Sequence, residues 1–233
     1  EPDSSLLSTA RALALLYSID GENTSPEGEL AFVARLRHVP IQTLYEALAT
    51  LRQRGIAQGR GRWRAILPHA IANHLASAAL ESIPPSDMDQ FAASISPRMQ
   101  RSFSRRLGYL HESSAVIAMV KRWLRPDGPL HNLLARGEDG LQIISNIAPA
   151  APEAVLDRIK YEIDDLARDV ALRPYSDEKF RWVRLLKSLA YDPATFDDAA
   201  TLLSRFAALE TGKTRDNEAR RVFAELFHLS LSG

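Results

Sequence analysis

The chain has no cysteine at any of its 233 positions. That excludes a disulfide framework, a thiolate metal site and a cysteine nucleophile, and it fits a reducing, cytoplasmic setting. It has no net charge, because Lys plus Arg number 29 and Asp plus Glu number 29. No whole-molecule field therefore draws it to nucleic acid or to a membrane surface. No apolar run approaches the ~20 residues that span a bilayer, so no membrane partner is expected. The first residues, EPDSSLLSTA, lack the basic n-region of a signal peptide. They also lack an initiating Met and start close to a helix cap, so we expect a piece of a longer protein.

What is present is ordinary globular composition, 45% hydrophobic and 25% charged. Almost every segment has helical periodicity. Leu6, Leu7, Ala10, Leu13, Ala14 and Tyr17 recur at spacings of three and four, with Ser4 or Ser5 as a cap. Gly21 and Pro26 break the chain. PEGELAFVARL resumes a helix with acids at its start, where the macrodipole favours them. VPIQTLYEALATLRQRG predicts a third helix, with Ile41, Leu44, Tyr45, Leu48 and Leu51 inward and Gly55 as its stop. IAQ and WRAIL then flank GRG as one β-hairpin, and a fourth helix is expected from Pro68 to about Ala78.

Three helices and a hairpin is the order of a winged helix, which we place within a domain over residues 1–83. Pro84-Pro85 sets the boundary, because it forbids helix there. Beyond it, over 84–233, only helices and short breaks are expected: 87–95, 97–111, 113–124, 129–136, 139–148, 152–169, 177–190, 194–210 and 217–231. IISNIAPAAPEAVLDRI resembles LLKSLAYDPATFDDAATLL, about 41 residues further on. A period of ~40–47 residues with two helices per unit lies in the HEAT/armadillo range. The expected fold is therefore mainly α, a winged helix followed by an α-solenoid-like array. An irregular helical bundle is the alternative.

No catalytic constellation emerges. Gly212-Lys213-Thr214 matches the end of a P-loop, but the glycine required five residues earlier is Ala207. Without glycines the backbone does not cradle a phosphate, so a solvated loop is expected there. His69 and His74 are five apart, whereas a helical metal pair needs three or four, and no metal is expected. The acidic pairs Asp164-Asp165 and Asp197-Asp198 read as caps and solvated faces.

The basic residues are more informative. From Ala47 to Leu80 stand Arg52, Arg54, Arg60, Arg62 and Arg64 with no acid among them. On a DNA-binding winged helix these would lie on the recognition helix and the wing, and wing arginines suit phosphates or a minor groove. The outward face of that helix offers Gln42, Thr43, Glu46 and Thr50. Only Gln42 suits a bidentate base contact, and Glu46 opposes phosphate. Docking onto protein is therefore favoured over nucleic acid. A second run, SPRMQRSFSRRLGYL, carries Arg98, Arg101, Arg105 and Arg106 over more than one helix face. It reads as a solvated helix at a domain junction, or as a surface for an acidic partner or nucleic acid.

The order helix, helix, helix, wing and then LPHAIANHLA resembles the winged-helix domain behind the ATPase core of STAND-class P-loop NTPases. These are NB-ARC-like signalling ATPases of the innate-immunity type. In that class the helix after the wing begins with a Met-His-Asp motif. Pro68 stands at the Met position, His69 at the His position and Ala70 at the Asp position, so the His alone matches. The ending EARRVFAELFHLSLSG also resembles the helical region of large bacterial members, some implicated in phage defence. The resemblance implies a switch. An ATPase domain holds ATP or ADP, the winged helix locks the ADP form, and the helical array relays a signal or binds a protein partner. His69 would then face a phosphate from the ATPase domain. The other reading of His69 is a residue that caps or fills the junction. The chain has no Walker motifs of its own, so it is expected to be no enzyme and to hold no cofactor. The rival functions are a winged-helix transcription regulator with a helical ligand-binding or dimerisation domain, and an unrecognised helical enzyme.

Overall fold

A computed structural model of the chain describes residues 2–171, 177–209 and 217–231. Gly212-Lys213-Thr214 lies outside the described residues. Among those described, the chain is mainly helical, with twelve α-helices and one small antiparallel sheet of three strands. The N-terminal elements are α1 (Pro2–Ala14), β1 (Ile19–Asp20), α2 (Glu29–Arg37), α3 (Ile41–Gln53), β2 (Ala57–Arg60), β3 (Trp63–Ile66) and α4 (His69–Ser82). Then follow α5 (Pro85–Ser94), α6 (Pro97–Gly108), α7 (Ser114–Trp123), α8 (Gly137–Ile147), α9 (Pro152–Ala171), α10 (Asp177–Leu189), α11 (Phe196–Leu209) and α12 (Glu218–Leu231).

Local chemistry explains most of these limits. α1 takes Ser4 and Ser5 inside it rather than as caps, because Pro2 occupies its first turn, where a missing N–H costs nothing. The helix stops at Ala14, so Tyr17 lies beyond it instead of on its buried stripe. α3 buries Leu44, Ala47, Leu48 and Leu51 but leaves Tyr45 exposed, since a step of one residue rotates a side chain about 100° off the stripe. Gly55, with φ of 72°, ends that helix in the left-handed region.

The hairpin pairs Ala57 with Ile66 and Arg60 with Trp63, turning at Gly61, whose φ is 56°. A third strand joins it. Ile19 pairs with Arg64 and Asp20 with Trp63, which gives the sheet order β1-β3-β2. Two residues are too short to show an alternating pattern, so β1 was not expected.

Two further expectations fail. Pro84-Pro85 does not exclude helix: Pro84 is extended and Pro85 is the first residue of α5. The helix expected over 129–136 shrinks to a single 3-10 turn, Leu134–Arg136. Pro126, Gly128 and Pro129 crowd the stretch before it and deny it a nucleus.

The buried side chains form one continuous apolar cluster, from Ala10 in α1 to Leu226 in α12. α6 packs on α8, α8 on α10 and α10 on α12, while α9 packs on α11. The α6–α8 crossing is close because residue 108 is glycine. A Cβ there would collide with the Asn146 carbonyl oxygen. No helix among the described residues is long and apolar enough to cross a membrane.

Candidate functional site

Two arginines of the β2–β3 hairpin, Arg62 and Arg64, are engaged within the molecule. Arg64 is buried, with Nη2 2.8 Å from Glu22 Oε1, and it also donates to the carbonyls of Gly61 and Trp63. Arg62 Nε lies 3.5 Å from Asp20 Oδ2, and its guanidinium sits 4.7 Å from the Trp63 ring centroid. Arg52, Arg54 and Arg60 are exposed. On the outward face of α3, Gln42 Nε2 donates to Glu46 Oε1 at 3.3 Å, so the one candidate base reader already has a partner.

Both acids that meet the hairpin come from β1 and the turn after it, about forty residues upstream. Asp20 is buried, and its Oδ1 also accepts from the backbone N–H groups of Glu22 and Asn23 at 3.1 and 3.3 Å.

The second basic run, on α6, forms the seam with the N-terminal elements. Arg98 Nη2 donates to Glu29 Oε2 at 2.5 Å and to the Ser18 carbonyl at 2.7 Å. Its Nε lies 2.5 Å from Glu29 Oε1, an ion-pair contact rather than an aligned hydrogen bond. Its guanidinium also stacks 4.4 Å from the Trp63 centroid, opposite Arg62 in sequence but on the same ring. Ser102 Oγ donates to the Ser18 carbonyl at 2.6 Å and accepts from the Ser18 N–H at 2.9 Å. Tyr17 N–H donates to the Ser102 carbonyl at 3.2 Å. Arg101 pairs with Asp139. Beside these side chains opens a polar groove of about 570 Å³, lined by Tyr17, Ser18, Arg98, Arg101, Arg105 and Asn146 among others.

His69 stands at the mouth of this seam, as the first residue of α4 and exposed to solvent. Pro68 is the N-cap, with extended φ and ψ of −65° and 162°, and its peptide bond is cis. The His69 ring is neither free nor buried. It stacks on Tyr17 at 5.1 Å between centroids, and its Nε2 lies 3.3 Å from the Tyr17 hydroxyl. Tyr109 stacks beside both, 6.0 Å from Tyr17 and 6.1 Å from His69. The three planes differ by 11° to 19°, so they tile one ledge. The Arg105 guanidinium covers Tyr17 at 3.8 Å.

Under the ledge lies Arg106, fully buried. Its Nε donates to the Ala14 carbonyl at 2.9 Å and so completes the C-terminus of α1. Its Nη1 donates to Asn73 Oδ1 at 2.5 Å, and its Nη2 has no partner. Burial pushes the Arg106 guanidinium down to about 10, against the opposing pull of the Tyr17 and Tyr109 hydroxyls. It therefore remains a cation at neutral pH, buried without a carboxylate.

Sequence reasoning found His69 and the α6 arginines but not their meeting. Tyr109 was missed, although it follows Arg105 and Arg106 by about one helical turn. Asn73 was missed too, one turn after His69 on the same face. Among the described residues, no group of three His, Asp or Glu side chains is placed to hold a metal ion. Compared with known proteins, the chain matches no family model, no curated protein and no solved structure.

Proposed function

We propose that this chain is a non-catalytic regulatory module of a larger, STAND-type ATPase, in which residues 1–83 act as a winged helix and residues 84–233 as a relaying helical array. The observation that carries the reading is the position of His69. It is exposed, it begins the helix after the wing, and it is held in place by Tyr17 and Tyr109 rather than sunk in the core. Support for the winged helix comes from the chain order helix, strand, helix, helix and hairpin, with the sheet ordered β1-β3-β2. Support for a solenoid comes from the packing of α10 on α8 and of α11 on α9, each helix resting on the one two places before it in the chain.

In this reading ATP or ADP is bound by an ATPase domain of the parent chain, and His69 hydrogen-bonds a phosphate at the domain interface. The helix-start amides around it favour an anion. The array, from α5 onward, carries the change to a protein partner in the cytoplasm, as in bacterial defence signalling. Loss of a charge-assisted hydrogen bond to phosphate is worth roughly 1.5–3 kcal/mol. In the parent chain, His69→Ala is then expected to raise the active population about ten- to a hundredfold without stimulus. An activity assay of the parent with and without stimulus checks this, and an inactive or unchanged resting state would sink it.

The DNA-binding reading has weaker support. Arg62 and Arg64 meet Asp20 and Glu22, and Gln42 meets Glu46, so two of the five arginines and the one candidate base reader are engaged, while Arg52, Arg54 and Arg60 stay exposed. Salt-sensitive binding of the chain to duplex DNA, lost on Arg60→Ala, would restore it.

A further inference from the structure

We propose that Arg106, Arg105, Tyr17 and His69 form a receptor for one phosphate-class oxyanion at the seam of α1, α4 and α6. The inference rests on the reading of His69 given above for its phosphate chemistry. It adds that the arginine pair of the helical array, not the histidine, is the principal ligand.

The donors converge on a single ring. Around the Tyr17 centroid lie the Arg105 guanidinium at 3.8 Å, His69 at 5.1 Å, the Arg106 guanidinium at 5.6 Å and Tyr109 at 6.0 Å. Arg106 is buried with Nη2 unpartnered, and a buried guanidinium with an idle donor is costly unless something completes it. Arg105 is exposed and makes no ion pair with a carboxylate among the described residues; its neighbour is a ring face. Asn73 spends its oxygen on Arg106 and keeps its own N–H donors. The site thus offers two cations and several neutral donors from α4, α6 and the turn after α1. Donors arriving from several sides suit a tetrahedral anion better than a planar carboxylate. Tyr109 is 47% exposed and stacks beside Tyr17 and His69, so the ledge over Arg106 borders solvent on that side. The polar groove of about 570 Å³ shares Tyr17 and Arg105 with the receptor and leaves room for whatever carries the phosphate.

The test uses the 233-residue chain in chloride buffer. Calorimetric titration with inorganic phosphate, pyrophosphate, ADP and citrate, together with thermal melts, gives the readout. Binding of phosphate or pyrophosphate is expected, with a raised melting temperature. Arg106→Met is expected to weaken it by ~10-fold or more and Arg105→Ala by several-fold, as charge-assisted hydrogen bonds are lost. Arg205→Ala, far along α11, serves as the unaffected control. Should Arg106→Met fail to fold, Arg105→Ala, at an exposed site, carries the test alone. ADP binding at least as tightly as pyrophosphate assigns the phosphate to a nucleotide, and pyrophosphate alone assigns it to the free anion. Both support the receptor. No binding of either phosphate species, citrate bound in their place, or unchanged affinity in Arg105→Ala would overturn it. The two readings fail separately. A parent chain indifferent to His69→Ala sinks the ATPase switch while leaving pyrophosphate bound here.

Discussion

The β2–β3 hairpin and α6 carry similar runs of arginine and put them to different use. On the hairpin, Arg62 and Arg64 meet carboxylates that the chain delivers from β1 and the turn after it. On α6, Arg98 and Arg101 are met in the same way by Glu29 and Asp139, but Arg105 and Arg106 meet rings, a carbonyl and an amide. Similar runs of positive charge in sequence therefore leave Arg62 and Arg64 matched by carboxylates and Arg105 and Arg106 without them. The difference lies in which acids the fold brings near, and those acids are remote in the chain. A cluster lacking local acids is not thereby free.

Substitutions can break or sharpen this contrast. The largest effect is expected at Glu29, which holds Arg98 and also accepts the Asp20 N–H at 2.7 Å. Glu29→Ala leaves Arg98 half-buried without a counter-charge and is expected to cost about 3 kcal/mol in urea unfolding, near the lower range for broken buried pairs. A loss below about 1 kcal/mol would mean that the pairing on α6 is no more than surface decoration. On the hairpin, Arg64→Met keeps most of the packing over Gly21 and Gly59 and abandons a Glu22 that is already exposed. About 1.5 kcal/mol is expected by the same measurement, chiefly from the two backbone carbonyls left unmet.

A third arginine pair is held at the surface. Arg122 donates to both oxygens of Asp89 at 2.7 and 3.3 Å, and Trp123 Nε1 donates to the same carboxylate. Burial pushes the Asp89 carboxyl up, but the bonds from Arg122 and Trp123 and the charge of Arg122 outweigh it and hold it below the ordinary value. A lowered folded pKa adds stability that is present above the unfolded value, near 4, and is lost as pH falls through the folded one. Asp89→Asn is expected to cost about 1 kcal/mol at neutral pH after allowance for solvent screening. The difference from the parent chain should fade in unfolding curves taken below about pH 4. The smallest effect is expected from His69→Ala in this chain, about 0.5 kcal/mol, because the ring is exposed and its stacking and its 3.3 Å contact with the Tyr17 hydroxyl lie at the surface. Strong unfolding by that change would mark His69 as structural and remove the basis for a sensing role.

Periodicity made α2, α3, α4 and most of the later helices legible, since each buries a stripe at spacings of three and four. Gly55 and Gly61 made two turns legible, because only their φ values suit the backbone there. What stayed hidden depended on pairing at a distance. β1 exists because β3 offers it an edge, and two residues leave no pattern of their own. The helix expected from Pro129 was lost to prolines and a glycine whose joint effect outweighed the apolar spacing. His69 was legible as an exposed helix start. Its tyrosine ledge was not, because Tyr17 reads as one more apolar position on α1 until the helix is seen to stop three residues earlier.

The clasp around Ser18 has a mechanical consequence. The segment between α1 and β1 is bolted to α6 by Arg98 and Ser102, with bonds of 2.6 to 2.9 Å among the closest. Sliding α6 by a single residue's rise, about 1.5 Å, would shear these bolts and strip β1 from the sheet edge together with them. The sheet and α6 therefore behave as one lever arm. A displacement of α6 is therefore expected to be felt first at the sheet edge, through Ser18.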